Sequence, residues 1–318
     1  MKPPTLRARC DFLWLFLLLL LLTSAAPARA EALIAYSKDG AIYTASAADG
    51  KGAKKICRGD DPCISNDGRF IAYTRNNSGK VSTRSIVVRD MASGQEATLP
   101  VAGAEQVFGA LWSPDDQWIA FNALTAKSWQ VAVSHPDGSG FHTLTDKLDA
   151  KGSGYYLAGW NLHDNAVLAQ NLDTLAQLDP ATSEVAWQRP VKEINGEESA
   201  ASDLRCTISG DGRFVVSTRY VDSDEFKNLD GPSSYLVLTD FPSGTPRRVT
   251  PPKFDAHTPW LDPNGETVLL RGFGEKDITR VKGSDGVKLK MRIYRFDVRT
   301  SKLTPLIEGG ESPSASRG

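Results

Sequence analysis

Trp112-Ser113-Pro114-Asp115-Asp116-Gln117-Trp118-Ile119-Ala120-Phe121 is a polar turn set between two apolar stretches, and the chain repeats it. Residues 64–73 read Ile-Ser-Asn-Asp-Gly-Arg-Phe-Ile-Ala-Tyr, and residues 208–217 read Ile-Ser-Gly-Asp-Gly-Arg-Phe-Val-Val-Ser. Two worn copies at 160–168 and 261–269 fit the same frame. The turn residue falls at Gly68, Asp116, Asp164, Gly212 and Gly265, at intervals of 48, 48, 48 and 53 residues. Self-similarity at such a period marks a repeat architecture in which each unit is one supersecondary element.

The chemistry of the phrase says what the element is. Ser-Pro-Asp puts proline where φ is fixed and aspartate where it can accept from nearby amides. Trp118-Ile119-Ala120-Phe121 is nearly all apolar, as a strand covered on both faces requires. Residues 128–134 alternate, with Trp129, Val131 and Val133 on one face. The turn Pro136-Asp137-Gly138-Ser139-Gly140 then leads to an outer stretch at 141–145. Four antiparallel strands per unit predict one propeller blade, and no window beyond residue 30 holds a long helical period.

Residues 1–30 read as a secretory signal. Lys2, Arg7 and Arg9 precede an apolar run of 11 residues from Phe12 to Leu22, and Ala28-Arg29-Ala30 closes a small-residue segment. The run is too short to cross a bilayer, which takes about 20 residues; an uncleaved anchor extended by 25–28 is the alternative. Beyond the signal, 31–318 is 288 residues, six intervals of 48. Those residues hold 33 basic and 37 acidic side chains, a net charge of −4, which gives no electrostatic case for nucleic acid or an anionic membrane.

The first unit begins at its second strand, Leu33-Ile34-Ala35-Tyr36, and its missing strand can be found at the far end. Glu311-Ser312-Pro313-Ser314-Ala315-Ser316-Arg317-Gly318 can be laid onto the opening phrase. The expectation is an all-β, six-bladed β-propeller of four-stranded antiparallel blades, closed by pairing of the N- and C-terminal segments, which would remove exposed sheet edges. A frayed polar tail is the alternative for 311–318. Cys57 and Cys63 bracket Arg-Gly-Asp-Asp-Pro, a turn-rich link that makes them a candidate disulfide or two free thiols; Cys206 reads as a small buried hydrophobe.

The W-S-P-D-x-x-x-I-A-F phrase at 112–121, with the D-G-x-G-x-x-x-L-T pattern at 137–145, resembles the TolB-type propeller repeat. The resemblance runs through nearly all of 31–318 and rests on turn and core residues. It implies the propeller fold, a periplasmic setting and a habit of binding other proteins. The α/β domain that precedes the propeller in TolB has no counterpart before the first repeat. Related propellers precede the catalytic domain of prolyl-oligopeptidase-type peptidases, but this chain has no G-x-S-x-G nucleophile elbow.

Candidate chemistry is sparse. His135 and His163 sit at turns and read as surface residues, whereas His257, just before an inner strand, is placed where a blade connection meets the rim of the central channel. Asp67, Asp115 and Asp211 recur because the turn requires them. Asp222, Asp224 and Glu225 form an acidic cluster without the spacing of a calcium loop. The links between second and third strands are long at 75–83, 219–234 and 271–291, and the longest blade connections are 147–154 and 191–202; such loops are where binding residues collect. Arg219, Asp222, Asp224 and Glu225 on one insert, with Arg271, Lys276 and Arg280 on the next, and His257, are therefore the candidate partner-binding residues. The expected function is an exported, non-enzymatic binding or scaffold propeller that engages a protein or envelope glycan through its loop-bearing face. No cofactor, catalytic set or metal site is expected, nor a membrane span after signal cleavage. A propeller lyase or hydrolase acting on a saccharide or peptide in the channel, through His257 and nearby carboxylates, is the alternative.

Overall fold

The computed structural model describes residues 31–78, 83–149, 152–197, 200–221, 233–281 and 286–317. Its strands follow the repeat. β1 (Leu33–Lys38), β2 (Ala41–Ser46) and β3 (Lys54–Arg58) come first, then β4 (Asp60–Ile64), β5 (Phe70–Asn77), β6 (Thr83–Asp90) and β7 (Glu96–Thr98). The third unit holds β8 (Ala104–Trp112), β9 (Ile119–Thr125), β10 (Trp129–Ser134) and β11 (His142–Thr143). The fourth holds β12 (Tyr156–Asn161), β13 (Ala166–Gln170), β14 (Thr174–Leu178) and β15 (Val185–Pro190). A short helix α1 (Val191–Asn195) leads to β16 (Cys206–Ile208), β17 (Phe214–Val221), β18 (Ser233–Asp240) and β19 (Arg247–Arg248). β20 (Phe254–Leu261) and β21 (Thr267–Gly274) are followed by a 3-10 turn (Glu275–Asp277) and the hairpin β22 (Ile278–Arg280) and β23 (Val287–Leu289). β24 (Arg292–Asp297), β25 (Lys302–Glu308) and β26 (Glu311–Ala315) end the chain.

These strands build antiparallel four-stranded units in the orders β4-β5-β6-β7, β8-β9-β10-β11, β12-β13-β14-β15, β16-β17-β18-β19 and β20-β21-β24-β25. One parallel pairing, Asn161 with Ile208, joins the two units that begin at β12 and β16. The remaining unit has the order β26-β1-β2-β3, with Ile34 opposite Ala315 and Ala35 opposite Ser314. Its inner strand thus comes from the C-terminal end of the chain.

The repeated phrase performs one task at each copy. Ser65, Ser113 and Ser209 each accept at Oγ an amide at the entry to the second strand, from Phe70, Trp118 and Phe214, at 2.9, 2.9 and 3.2 Å. Each serine hydroxyl donates to the aspartate two residues on, Asp67, Asp115 or Asp211. Leu33 N donates to Ser316 Oγ at 3.0 Å in the same way, although the two residues come from opposite ends of the chain. The turn closes on a left-handed residue: Gly68 (φ 75°), Asp116 (φ 59°), Gly212 (φ 70°) and Gly265 (φ 74°). Asp116 adopts it without being glycine, and its carboxylate accepts the amides of Asn66 at 2.8 Å and Asp67 at 3.0 Å from the preceding unit. In the worn copy of the fourth unit the left-handed residue is Asn165 (φ 53°), one position after the expected Asp164, where Asn161 Oδ1 takes the amides of His163 and Asp164.

The core lies between consecutive sheets. Val131, Val133 and Leu144 pack against Leu157, Trp160 and Val167 of the next unit, and Leu236 and Leu238 pack likewise against Phe254 and Leu270. Two tryptophans add directional links: Trp112 Nε1 donates to the Cys63 carbonyl at 2.9 Å and Trp160 Nε1 to the Leu111 carbonyl at 3.3 Å. Cys57 and Cys63 are free thiols, not a bridge. Cys63 pairs with Ala72 and shares a cluster with Trp112, whereas Cys57 packs beside Tyr73 with Ile42 and Val87. Neighbouring residues on a strand point to opposite faces, so the thiols lie on opposite sides of β5. Burial pushes the Cys63 thiol up to about 11.

Two links differ from their reading as loops: 271–291 contains the 3-10 turn and the β22–β23 hairpin, and 191–202 contains α1. Among the described residues no helix is long and apolar enough to cross a membrane. Residues 1–30, read as a signal, lie outside the described residues, as do Asp222, Asp224 and Glu225.

Candidate functional site

One strand from each four-stranded unit, β4, β8, β12, β16, β20 or β26 or the residues entering it, contributes to one cavity of about 90 Å³. Trp112, Trp160 and Trp260 line it together with Pro62, Pro259 and Pro313. The strands reach it with a recurrent irregularity. Pairing shifts register between Asp60 and Cys63, between Phe108 and Leu111, between Leu157 and Gly159, and between His257 and Trp260. Asp61 (φ 47°), Thr258 (φ 48°) and Ser312 (φ 48°) are left-handed residues immediately before a proline. Bulges of this kind re-aim side chains and are enriched beside functional sites, and left-handed non-glycine backbone costs about 1–3 kcal/mol that the surroundings must hold.

Around the end at which the inner strands begin, polar side chains from several units gather. His257 Nε2 lies in close contact with Oδ1 of the buried Asp255, although the two are not aligned for a hydrogen bond. The His257 ring is 6.1 Å from the ring of Tyr220. Tyr220 in turn donates from its hydroxyl to Asp203 at 2.9 Å. Burial, with Asp203 second, pushes the Tyr220 phenol well above its ordinary value. Glu197 accepts the Tyr220 amide and the Asn195 side-chain amide, but burial outweighs these bonds and raises its pKa. Arg271, opposite His257 in the β20–β21 register, pairs with Glu311 of β26 at 3.3 Å.

The structure therefore brings His257 and Arg271 together with Tyr220, Asp255 and Glu311, and places Arg219 on β17 with its guanidinium beside Gly196 after α1. Lys276 is on the 3-10 turn and Arg280 on β22. Among the described residues no three His, Cys, Asp or Glu side chains gather in a metal-binding arrangement, at His257 or elsewhere. Sequence reasoning missed the aromatic lining and the charged residues at the level of Asp61 and Arg205. Trp112 and Trp160 stand inside the repeated phrase, so that signal was available, whereas Asp61 and Arg205 stand four residues before its serine, where the copies differ.

No protein-family model matches the chain. No curated protein matches it either. Among solved structures, TolB from Acinetobacter baumannii superposes with a TM-score of 0.58 at 15% identity, covering 90% of this chain and 66% of that one. A putative TolB from Agrobacterium tumefaciens superposes at 0.57 with 13% identity, covering 89% of this chain and 91% of that one. This chain thus spans just under two thirds of the length of the Acinetobacter protein. Identities this low bear on architecture alone, and by that measure the fold is a TolB-like β-propeller.

Proposed function

We propose that this protein is a six-bladed propeller closed by its own C-terminal strand, exported to the periplasm, and that it binds a protein or envelope-glycan partner at the end where its inner strands begin. The convergence of all six inner strands on one tryptophan- and proline-lined cavity carries the reading. Asp203 and His257, two and one residues before the lining residues Arg205 and Thr258, join Tyr220 and Arg271 in a polar cluster beside the cavity. Apolar pockets with a few placed polar groups are the usual form of a binding site, and loops raised on a rigid scaffold usually supply the contacts. The charged leader at 1–30 supports export, and the likeness to TolB supports a role among protein partners.

The test is site-specific photo-crosslinking in cells. A photoreactive residue replacing the exposed Asp203, in that cluster, is expected to trap a discrete partner. The same residue replacing the exposed Arg213, on the tight-turn side, is expected to trap none. Equal trapping at both positions, or none at either, sinks the reading.

A further inference from the structure

Counting four residues back from the phrase positions Ser65, Ser113, Asn161, Ser209, Asp262 and Ser316 gives Asp61, Gly109, Leu157, Arg205, Thr258 and Ser312. These are equivalent positions of the repeat, one from each inner strand or its entry. Two of them are charged, one of each sign, and the rest are neutral. Asp61 is engaged, accepting from Ser312 Oγ at 2.9 Å. Arg205 is not engaged in the same sense.

Arg205 reaches across from its own unit past β12 to β8. Its Nη2 comes so close to Gly109 (φ 71°) that a Cβ there would lie 3.2 Å away, so glycine at 109 leaves room for the guanidinium. Among the described residues its one hydrogen bond runs from Nη1 to the Leu157 carbonyl at 3.4 Å, at the long limit for such a contact. Burial lowers its pKa, while Asp61 and Asp203, acting through space and not by hydrogen bond, pull the other way. A guanidinium carries five N–H donors and stays charged; Arg205 lines the cavity, and among the described residues no carboxylate pairs with it.

We propose that this position is a subsite for the C-terminal carboxylate of an extended peptide, held by the fork of Arg205 between the three tryptophans, with Asp61 across the cavity accepting a peptide N–H. Guanidinium and carboxylate match in a bidentate, charge-assisted pair. A lone carboxylate would meet Asp61 as repulsion, whereas a terminal carboxylate with its neighbouring amide satisfies both charges. The tryptophans and prolines at the inner-strand positions offer apolar faces to the residues that precede it. The inference rests on the protein-binding reading above and specifies its chemistry.

The experiment titrates the full protein with a random hexapeptide pool bearing free C-termini, with the same pool amidated, and with succinate, following tryptophan emission. The free-acid pool is expected to bind about 30-fold or more tightly than the amidated pool, the range for losing one member of a desolvated charge pair. Arg205→Gln is expected to abolish that preference with an unchanged thermal midpoint. Arg205→Lys, which keeps the charge and loses the fork, should retain part of it. The subsite is overturned by equal binding of both pools, by a preference that survives Arg205→Gln, by succinate binding while the pools do not, or by no binding of any probe. Photo-crosslinking from position 203 that persists in the Arg205→Gln protein would overturn the subsite and leave the protein-binding reading standing.

Discussion

Four donors converge on Asp149, in the link between β11 and β12. Ser153 N reaches Oδ1 at 2.7 Å, Gly154 N and Gln130 Nε2 reach Oδ2 at 3.2 and 2.9 Å, and the Ser128 hydroxyl completes the set. Burial works to raise the Asp149 pKa, but these bonds to the charged form outweigh it and hold the carboxyl below its ordinary 3.8. A depressed acid contributes stability that is present above its unfolded value and is lost as pH falls through the folded one. Asp149→Ala is therefore expected to destabilise by about 1–3 kcal/mol near neutral pH, lowering the melting midpoint by about 2–4 °C for each kcal/mol. The gap from the parent protein should close on acidification below the ordinary aspartate range. A gap independent of pH in urea titrations would mean that the carboxylate charge plays no part. In the sequence this link reads only as a long connection; nothing local shows that Gln130, on β10, and Ser128, just before it, bind it down.

Between one sheet and the next, the linking chemistry passes through the inner strands. Trp112 is buried, and its indole spends its single donor on the Cys63 carbonyl at 2.9 Å, while the equivalent Trp160 makes a longer 3.3 Å bond to the Leu111 carbonyl. Trp112→Phe keeps most of the apolar burial and removes that donor, leaving a buried carbonyl one partner short. It should cost about 1–3 kcal/mol, against a smaller loss for Trp160→Phe. Urea denaturation of the two variants checks the order, and an equal or reversed ranking refutes it. The phrase announced that a strand ends at Trp112, because turn and apolar run are local signals. It could not announce the partner, which is a carbonyl of the neighbouring repeat. The cysteines were opaque for a related reason: their spacing suggests proximity, but only the register of β4 on β5 shows that the Cys63 and Cys57 side chains leave opposite faces. Arg205 and Asp61 were hidden because a repeat is recognised by what its copies share, and these positions are where the copies differ.

At the scale of the molecule, the sheet that pairs β26 with β1 decides whether the repeat forms a ring. Ser314 Oγ accepts the Ile64 amide at 3.1 Å and donates to the Pro62 carbonyl at 3.2 Å, tying β26 to β4, while Ser316 Oγ receives the Leu33 amide at 3.0 Å. Arg317 N reaches the Asn66 carbonyl at 2.7 Å, carrying the chain end onto the next turn. Ala315 packs with Ile34, Tyr36 and Ile307, so β26 also covers apolar side chains of the first and last units. If these contacts close a ring, ending the chain at Gly310 should do more than remove one edge strand. It would strip β1 of its inner partner, leave the Ile64 amide unpaired, and expose a flat edge open to other chains. The truncated protein is expected to melt at least about 10 °C lower, the scale of a loss of several kcal/mol, and to associate at micromolar concentration. A synthetic peptide of residues 311–318 should restore part of the lost midpoint in a saturable way. A truncated chain that melts with the parent and stays monomeric would show that the units stand as an open array, held by neighbour contacts alone.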